Sequence, residues 1–223
     1  LTPIERKEKD VFFSQLNKLQ EVMETLGIIR YKVKNREADD IIFNLLDEDK
    51  KSIIVSTDKD FYQLLDENVS IYNPVKKEII RAKDVEKKYE IPISYFVDHK
   101  ALTGDPSDNL PGIRGIGDKG ATWLINNVFN KDMTERKLSK TQLRMIKLLA
   151  TNLDTFDLMH GLIKLKRIGK EELEKGRAED RPITIEEPQE RAIAICQEYG
   201  FEKHQRNIVK FLQPFEMLWR RQK

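Results

Sequence analysis

Cysteine is nearly absent: Cys196 is the only one in 223 residues. That excludes an internal disulfide framework and fits a reducing compartment. Histidine is almost as scarce, and His99, His160 and His204 lack the spacing of a zinc site, so imidazole and thiolate chemistry are poor starting points. No apolar run approaches the roughly 18 residues that a membrane-spanning helix requires. The opening LTPIERKEKD is too charged for the apolar core of a signal peptide. These absences leave a soluble, cytoplasmic protein as the expectation, with Cys196 buried and inert in an apolar helical run.

Charge is abundant instead. Charged residues make up 35% of the chain against 39% hydrophobic ones, with a net charge of +2. That near-balance conceals an asymmetry. Residues 1–110 carry 18 Lys and Arg against 22 Asp and Glu, whereas residues 111–223 carry 22 against 16. An acidic half that could hold cations precedes a basic half that could meet phosphates, although imbalances of this size also arise by chance.

Periodicity predicts an amphipathic helix over residues 4–27, with Val11, Phe12, Leu16, Leu19, Val22, Met23 and Leu26 on one face and Gly27 ending it. An extended piece follows at Ile28 to Val33, then a helix from about Glu37 carrying Ile41, Ile42, Leu45 and Leu46. Ser52 to Thr57 (SIIVST) is a short β-branched run of the kind expected in a buried parallel strand. Asp58 to Leu65 turns back into a helix, and Val69–Tyr72 and Glu78–Arg81 pair as strands around Asn73-Pro74. Beyond Lys83 only helices are expected. The order predicts an α/β layer followed by a helical subdomain. The charged stretch from Gly169 to Pro188 reads as an exposed connection or an insertion.

Three acidic clusters fall on the α/β part and its junction with the helices. In EADD, Glu37 and Asp40 share one face at the start of a helix, with Asp39 about 100° around from Asp40. Asp58 and Asp60 follow the carboxyl end of the best strand, where open α/β sheets bind ligands. Asp105 and Asp108 occupy the turn-rich loop GDPSDN. Each cluster alone has a plainer explanation, in helix capping or turn formation. Converging on one pocket, the seven carboxylates would need a compensating cation. Oxygen-only ligands select Mg²⁺ or Mn²⁺, and two ions about 4 Å apart would suit phosphodiester cleavage.

Directly after the third cluster comes PGIRGIGDKGA, with Gly112, Gly115, Gly117 and Gly120. The spacing matches a helix-hairpin-helix, in which glycines let a backbone approach a phosphate, and Arg114 and Lys119 add positive charge without base preference. Such turns also bind a monovalent cation, with K⁺ the candidate here. An ordinary helical corner is the alternative. No strand precedes the glycines, which argues against a dinucleotide site. Trp123 and Trp219, with Leu124, Val128, Phe211 and Leu212, read as core-packing residues. The Lys and Arg of 136–147 and 164–170 read equally as a phosphate track or a solvated face. His99 lies near the acidic loop.

EADD, STDKDFYQLL, ALTGDPSDNLPG and GIGDKGA, in this order, resemble the 5′-nuclease family, which includes bacteriophage 5′-exonucleases, flap endonucleases and the 5′-nuclease domain of bacterial DNA polymerase I. The resemblance is specific from about Leu19 to Phe129. It implies a PIN-like α/β core with a mostly parallel sheet over residues 1–100, and a helical DNA-binding subdomain with a helix-3-turn-helix motif over 101–223. It also implies a monomeric phosphodiesterase of a bacterium or phage-infected cell, acting in replication or repair on 5′ flaps, RNA primers or 5′ ends, including RNA–DNA hybrids. By motif, Glu37, Asp39 and Asp40 would serve a first metal, and Asp58, Asp60, Asp105 and Asp108 a second. Gly112, Arg114, Gly115, Gly117, Lys119 and Gly120 would hold the duplex backbone. Family members usually begin with two strands bearing further metal-binding aspartates and a helical arch. Nothing of that kind precedes residues 1–27, which resemble the helix after the arch, so the sequence is expected to lack its N-terminal part. The alternatives are a catalytically incomplete DNA-binding module and an RNA-directed nuclease.

Overall fold

The computed structural model describes residues 2–130 and 138–177, with isolated positions between 190 and 213. Cys196, His204, Phe211, Leu212 and Trp219 lie outside the described residues. The chain forms two compact units, one of residues 1–36 with 169–223, the other of residues 37–168.

The first unit contains helix α1 (Pro3–Thr25) and helix α8 (Lys170–Gly176). Its extended piece forms a single antiparallel bridge between Tyr31 and Arg177. The Lys32 amide donates to the Gly176 carbonyl at 2.7 Å, and a Cβ on Gly176 would stand 2.4 Å from Val33 Cγ2. The Arg36 guanidinium donates to both carboxylate oxygens of Glu172, at 3.0 and 3.1 Å, the planar pairing that arginine favours. The charged stretch beginning at Gly169, read as an exposed connection or an insertion, starts with a helix whose Leu173 is buried; residues 178–188 lie outside the described set. Val11, Phe12 and Leu19 of α1 are half-exposed or more, whereas Leu26, just past its end, is buried.

The second unit holds the three acidic clusters and the glycine hairpin. Helix α2 (Ala38–Leu45) precedes a three-stranded sheet of order β1-β2-β3: β1 (Ser52–Val55), β2 (Val69–Asn73) and β3 (Glu78–Ile80). β1 pairs parallel with β2 in the register Ser52 to Val69, and β2 pairs antiparallel with β3 in the register Ile71 to Ile80. The sheet is thus mixed. Asp58–Leu65, expected as a helix, contains a 3₁₀ turn at Lys59–Leu64. β1 is less buried than its sequence suggested: Ile54 points into the core, but Ile53 and Val55 are 62% and 65% exposed.

Helices follow: α3 (Ala82–Tyr89), α4 (Phe96–Thr103), α5 (Asp118–Leu124) continuing as a π turn (Ile125–Phe129), α6 (Lys140–Ala150) and α7 (Leu153–Ile163). α4 is buried nearly all round, as its lack of a polar face allows. Phe96 joins the sheet core with Ile54, Phe61, Ile71 and Val85. Leu102 joins a helical core with Ile113, Ile116, Leu124 and Leu149, and Val97 and Ala101 pack on Met159 and Ile163 of α7. The expected core roles of Trp123, Leu124 and Val128 hold, with Leu124 fully buried and the other two packed around it. Among the described residues no helix is long and apolar enough to cross a membrane.

Candidate metal centre and glycine hairpin

Two local devices bring Asp60 and Asp105 to one place. Asp58 caps the 3₁₀ turn after β1, its Oδ1 accepting from the Asp60 amide at 2.9 Å, which fixes Asp60 at the start of that turn. Asp105 begins the loop that follows α4. Its amide donates to the Leu110 carbonyl at 2.8 Å, and its carbonyl accepts from the Leu110 amide at 2.9 Å. Asp105 Oδ1 also accepts from the Ser107 amide at 2.9 Å, an Asx turn of the kind the sequence suggested.

The loop closes through two glycines that no other residue could replace without displacement. Gly104 has φ +81° and Gly112 φ +62°. A Cβ on Gly112 would sit 2.4 Å from Gly104 N and 2.5 Å from Thr103 C, while one on Gly104 would sit 2.5 Å from the Leu110 oxygen. Backbone therefore crosses backbone at the neck of the loop that carries Asp105 and Asp108.

Carboxylate oxygens of Asp60, Asp105 and Asp108 lie within 4.8 Å of one another. Lys100, from the last turn of α4, reaches into this group. Its ammonium is bonded to Asp60 and lies 2.7 Å from Asp105 Oδ2, with the lysine side chain only 11% exposed. The charges shape one another. Burial pushes the Asp60 carboxyl above its ordinary pKa, Lys100 works against that, and the charges of Asp58 and Asp108 add to the rise. The Lys100 ammonium, with help from Ser107, holds Asp105 well below the usual carboxylate range. Burial alone would lower the Lys100 pKa, but its bonds to Asp105 and Asp60 outweigh it and raise the value. One ammonium cannot neutralise three carboxylates with Asp58 beside them, so the site has residual negative charge and donors made only of oxygen. That donor set suits a hard divalent ion.

The EADD carboxylates stand differently. Among the described residues they do not join the group formed by Asp60, Asp105 and Asp108. Glu37 is exposed at the N-terminal boundary of α2 and makes no capping bond. Asp39 Oδ1 accepts from the Asp40 amide at 3.0 Å. Asp40 is buried, and its Oδ1 accepts from the Lys166 amide at 2.7 Å. One turn on, Asn44 accepts from the Ile168 amide at 2.9 Å and donates to the Lys166 carbonyl at 2.8 Å. Gln63 does the same further back, accepting from the Leu165 amide at 3.0 Å and donating to the Ile163 carbonyl at 3.1 Å. Residues 164–168, which follow α7, are thus held by side chains that take the place of a neighbouring strand. Asp40 anchors the fold here through at least one of its oxygens.

The hairpin residues also divide. Ile113 and Ile116 are buried in the helical core, and the Ile113 amide donates to the Leu102 carbonyl at 2.9 Å. Between and beyond these anchors, Arg114, Gly115, Gly117 and Lys119 are exposed. Gly115 has φ +97°, and a Cβ on Gly117 would meet nothing within 4 Å, so this rim is open to an incoming backbone. Two of the six expected residues sit elsewhere. Gly112 is buried at the neck of the acidic loop, and Gly120 faces α6, with Met145 Sδ 3.0 Å from where its Cβ would be. Their smallness serves packing.

Lys100 was not singled out from the sequence. A lysine in the last turn of a helix is ordinary, because it complements the helix dipole; only its place five residues before Asp105 hinted at more.

Comparison with known proteins accords with this arrangement. The model for the 5′-3′ exonuclease N-terminal resolvase-like domain matches residues 5–90, and that for the 5′-3′ exonuclease C-terminal SAM fold matches residues 91–182. The chain belongs to the 5′-3′ exonuclease family. Within the family, a 5′-3′ exonuclease of Buchnera aphidicola is 35% identical over 135 residues, covering 59% of this chain and 47% of that protein. DNA polymerase I of Deinococcus radiodurans is 41% identical over 116 residues, covering 50% of this chain and 12% of the polymerase. The chain thus spans less than half the length of these relatives. A solved structure of the bacteriophage T5 flap endonuclease, in complex with DNA and metal ions, shares the fold with a TM-score of 0.56 at 21% identity, over 96% of this chain and 73% of that one.

Proposed function

We propose that this chain is the metal-binding and DNA-binding part of a structure-specific 5′ nuclease, one that hydrolyses phosphodiester bonds in branched or 5′-ended DNA during replication or repair. The observation that carries this reading is the convergence of Asp60, Asp105 and Asp108 around Lys100, on a loop that runs directly into an exposed glycine hairpin. Asp60, Asp105 and Asp108, with Asp58 beside them, would hold the divalent ion, Mg²⁺ or Mn²⁺. Glu37 and Asp39 stand at the start of α2 as ligands of a second ion, directly or through water, and Asp40 has only its second oxygen to offer. Bound ions of this kind supply an activated water and stabilise charge on the leaving oxygen. The protein's own part is positional. The clasped loop fixes Asp105 relative to Asp108, Lys100 opposes protonation of Asp60 and Asp105 while the site fills, and Arg114 and Lys119 contact backbone phosphates without reading bases. K⁺ at the hairpin, action on RNA–DNA hybrids, a monomeric state, a cytoplasmic location, and a division between an α/β core to residue 100 and a helical subdomain from residue 101 belong to the same proposal.

Cleavage of a 5′-flap duplex by this chain, with Mg²⁺ or with EDTA, tests it. Mg²⁺-dependent cutting that disappears in Asp108→Ala, with DNA affinity retained, is the expected result. Cutting by the Asp108→Ala variant at the wild-type rate would remove the metal assignment. Tight binding without cutting would favour a DNA-binding module whose metal site is incomplete.

A further inference from the structure

A cleft of about 760 Å³ opens beside the hairpin, between α3, α4 and α5, and of its lining the nuclease reading uses Lys119 alone. Its size is in the range that takes a small organic ligand. Lys59, Lys88 and Lys119 reach it from three different elements, and among the described residues none of the three is paired with a carboxylate. Lys88 lies over the Tyr89 ring, 5.0 Å from its centroid. Glu90 and Asp118 also line the wall, so the cleft keeps a net positive charge.

The floor is unusual. His99 is 2% exposed, and its Nε2 has no hydrogen-bond partner; the Asp118 carboxylate, itself 86% exposed, is 3.9 Å away. Tyr89 packs edge-on against the imidazole, 5.3 Å between ring centroids. A buried polar nitrogen without a partner is costly, and this one belongs to a residue that lines the cleft. Trp123 forms part of the wall while packing on the helical core behind it. Asn126 and Asn127, which also line the cleft, spend their amide NH₂ groups on the Glu90 and Trp123 carbonyls, at 2.7 and 2.8 Å, which leaves their amide oxygens available as acceptors.

We propose that this cleft binds a nucleoside monophosphate group, its phosphate among the three lysines and its base against Trp123 with His99 Nε2 as hydrogen-bond partner. Unpaired ammonium groups select an anion, an aromatic wall selects a planar ring, and amide oxygens suit the exocyclic amino groups of bases. The same group occurs free in solution and at the 5′ end of a strand. The choice of a nucleotide rests on the nuclease reading, but occupancy of the cleft needs neither metal nor cleavage.

Tryptophan fluorescence in EDTA tests it, in a Trp219→Phe background so that Trp123 alone reports. The probes are dAMP, deoxyadenosine, and a trinucleotide with or without a 5′-phosphate. Quenching by dAMP is expected with Kd below about 1 mM, and loss of the phosphate, His99→Phe or Lys88→Ala should each weaken binding about tenfold, the scale of one charge-assisted hydrogen bond. Quenching by the phosphorylated trinucleotide but not by dAMP would support the site and identify its occupant as a strand end. No response to either phosphate-bearing probe would overturn the proposal, as would equal affinity for deoxyadenosine. Lys88 is exposed, so unchanged binding by Lys88→Ala overturns it even if His99→Phe fails to fold. A failure here with intact Mg²⁺-dependent cutting would leave the nuclease reading standing.

Discussion

Replacing Gly112 by alanine should separate loop architecture from DNA contact. The new Cβ would stand 2.4 Å from Gly104 N and 2.5 Å from Thr103 C, so the two segments must part by about 1 Å to reach ordinary van der Waals distance. At φ +62° an alanine also adopts the left-handed region, at about 1–2 kcal/mol. Overpacking against backbone, which cannot rotate away, adds about 1–3 kcal/mol. The expected loss is about 2–5 kcal/mol in urea denaturation, concentrated on the bonds that close the neck, among them the Ile113 amide to the Leu102 carbonyl at 2.9 Å. Because Asp105 and Asp108 hang from that neck, a shift near 1 Å should slow flap cleavage by about 100-fold. Gly117→Ala is the control. Its Cβ meets nothing within 4 Å, and its φ of −102° is accessible to alanine. A poorer helix cap and a stiffer unfolded chain nearly offset each other, leaving stability within about 1 kcal/mol of wild type, while duplex affinity falls. If Gly112→Ala unfolds within about 0.5 kcal/mol of wild type and cuts normally, the crossing of the two segments does not constrain the acidic loop, and the reasoning fails.

Lys100→Met keeps the aliphatic stem but removes the ammonium, leaving three carboxylates within 4.8 Å; thermal unfolding in EDTA should show a loss of about 2–4 kcal/mol, two charge-assisted bonds, and added Mg²⁺ should restore more stability than in the wild type. Equal melting temperatures in EDTA would contradict the ion triad. Asp40→Ala should cost about 2–3 kcal/mol by leaving the Lys166 amide without an acceptor, whereas Asp40→Asn keeps an oxygen there and should cost less than half as much; denaturant midpoints decide, and equal losses would mean that the bond to Lys166 is not what Asp40 contributes. Burial chiefly depresses the His99 pKa below its ordinary 6.5, with Asp118 opposing. The unfolded chain then binds more protons than the folded one below about pH 6.5, so this contribution is complete above that pH and is lost as pH falls toward the folded pKa. Stability measured from pH 7 down to 5 should decline more steeply in the wild type than in His99→Phe, and parallel curves would refute a neutral buried imidazole.

The sequence disclosed most of this architecture where a pattern had one physical reading. SIIVST could only be a strand, and PGIRGIGDKGA a glycine turn running into a helix. Asp60 and Asp105 were predicted to meet although 45 positions separate them, because one follows a strand end and the other a turn-rich loop. What was hidden depends on a second surface. An unbroken β-branched run does not reveal whether both faces of the strand are covered, and β1 has only Ile54 inside. Gly112 reads like its neighbours in the hairpin until the crossing with Gly104 is seen. Asp40 was expected at a metal, Asn44 and Gln63 look like helix-surface polars, and only the path of residues 164–168 shows that they replace a strand's hydrogen bonds.

β1 has a consequence for handling the protein. Among the described residues it lies at the edge of the sheet, in the order β1-β2-β3, and Ile53 and Val55 are open to solvent. An edge of this kind is a template for another chain's backbone, and four apolar or hydroxyl residues with no charge among them have the make-up of an aggregation seed. Lys50 and Lys51 before the strand, and Asp58 and Lys59 shortly after it, act as gatekeepers whose repulsion resists stacking of copies in register. Salt that screens those charges should therefore shorten the shelf life of concentrated protein, with light scattering rising before any loss of helix signal.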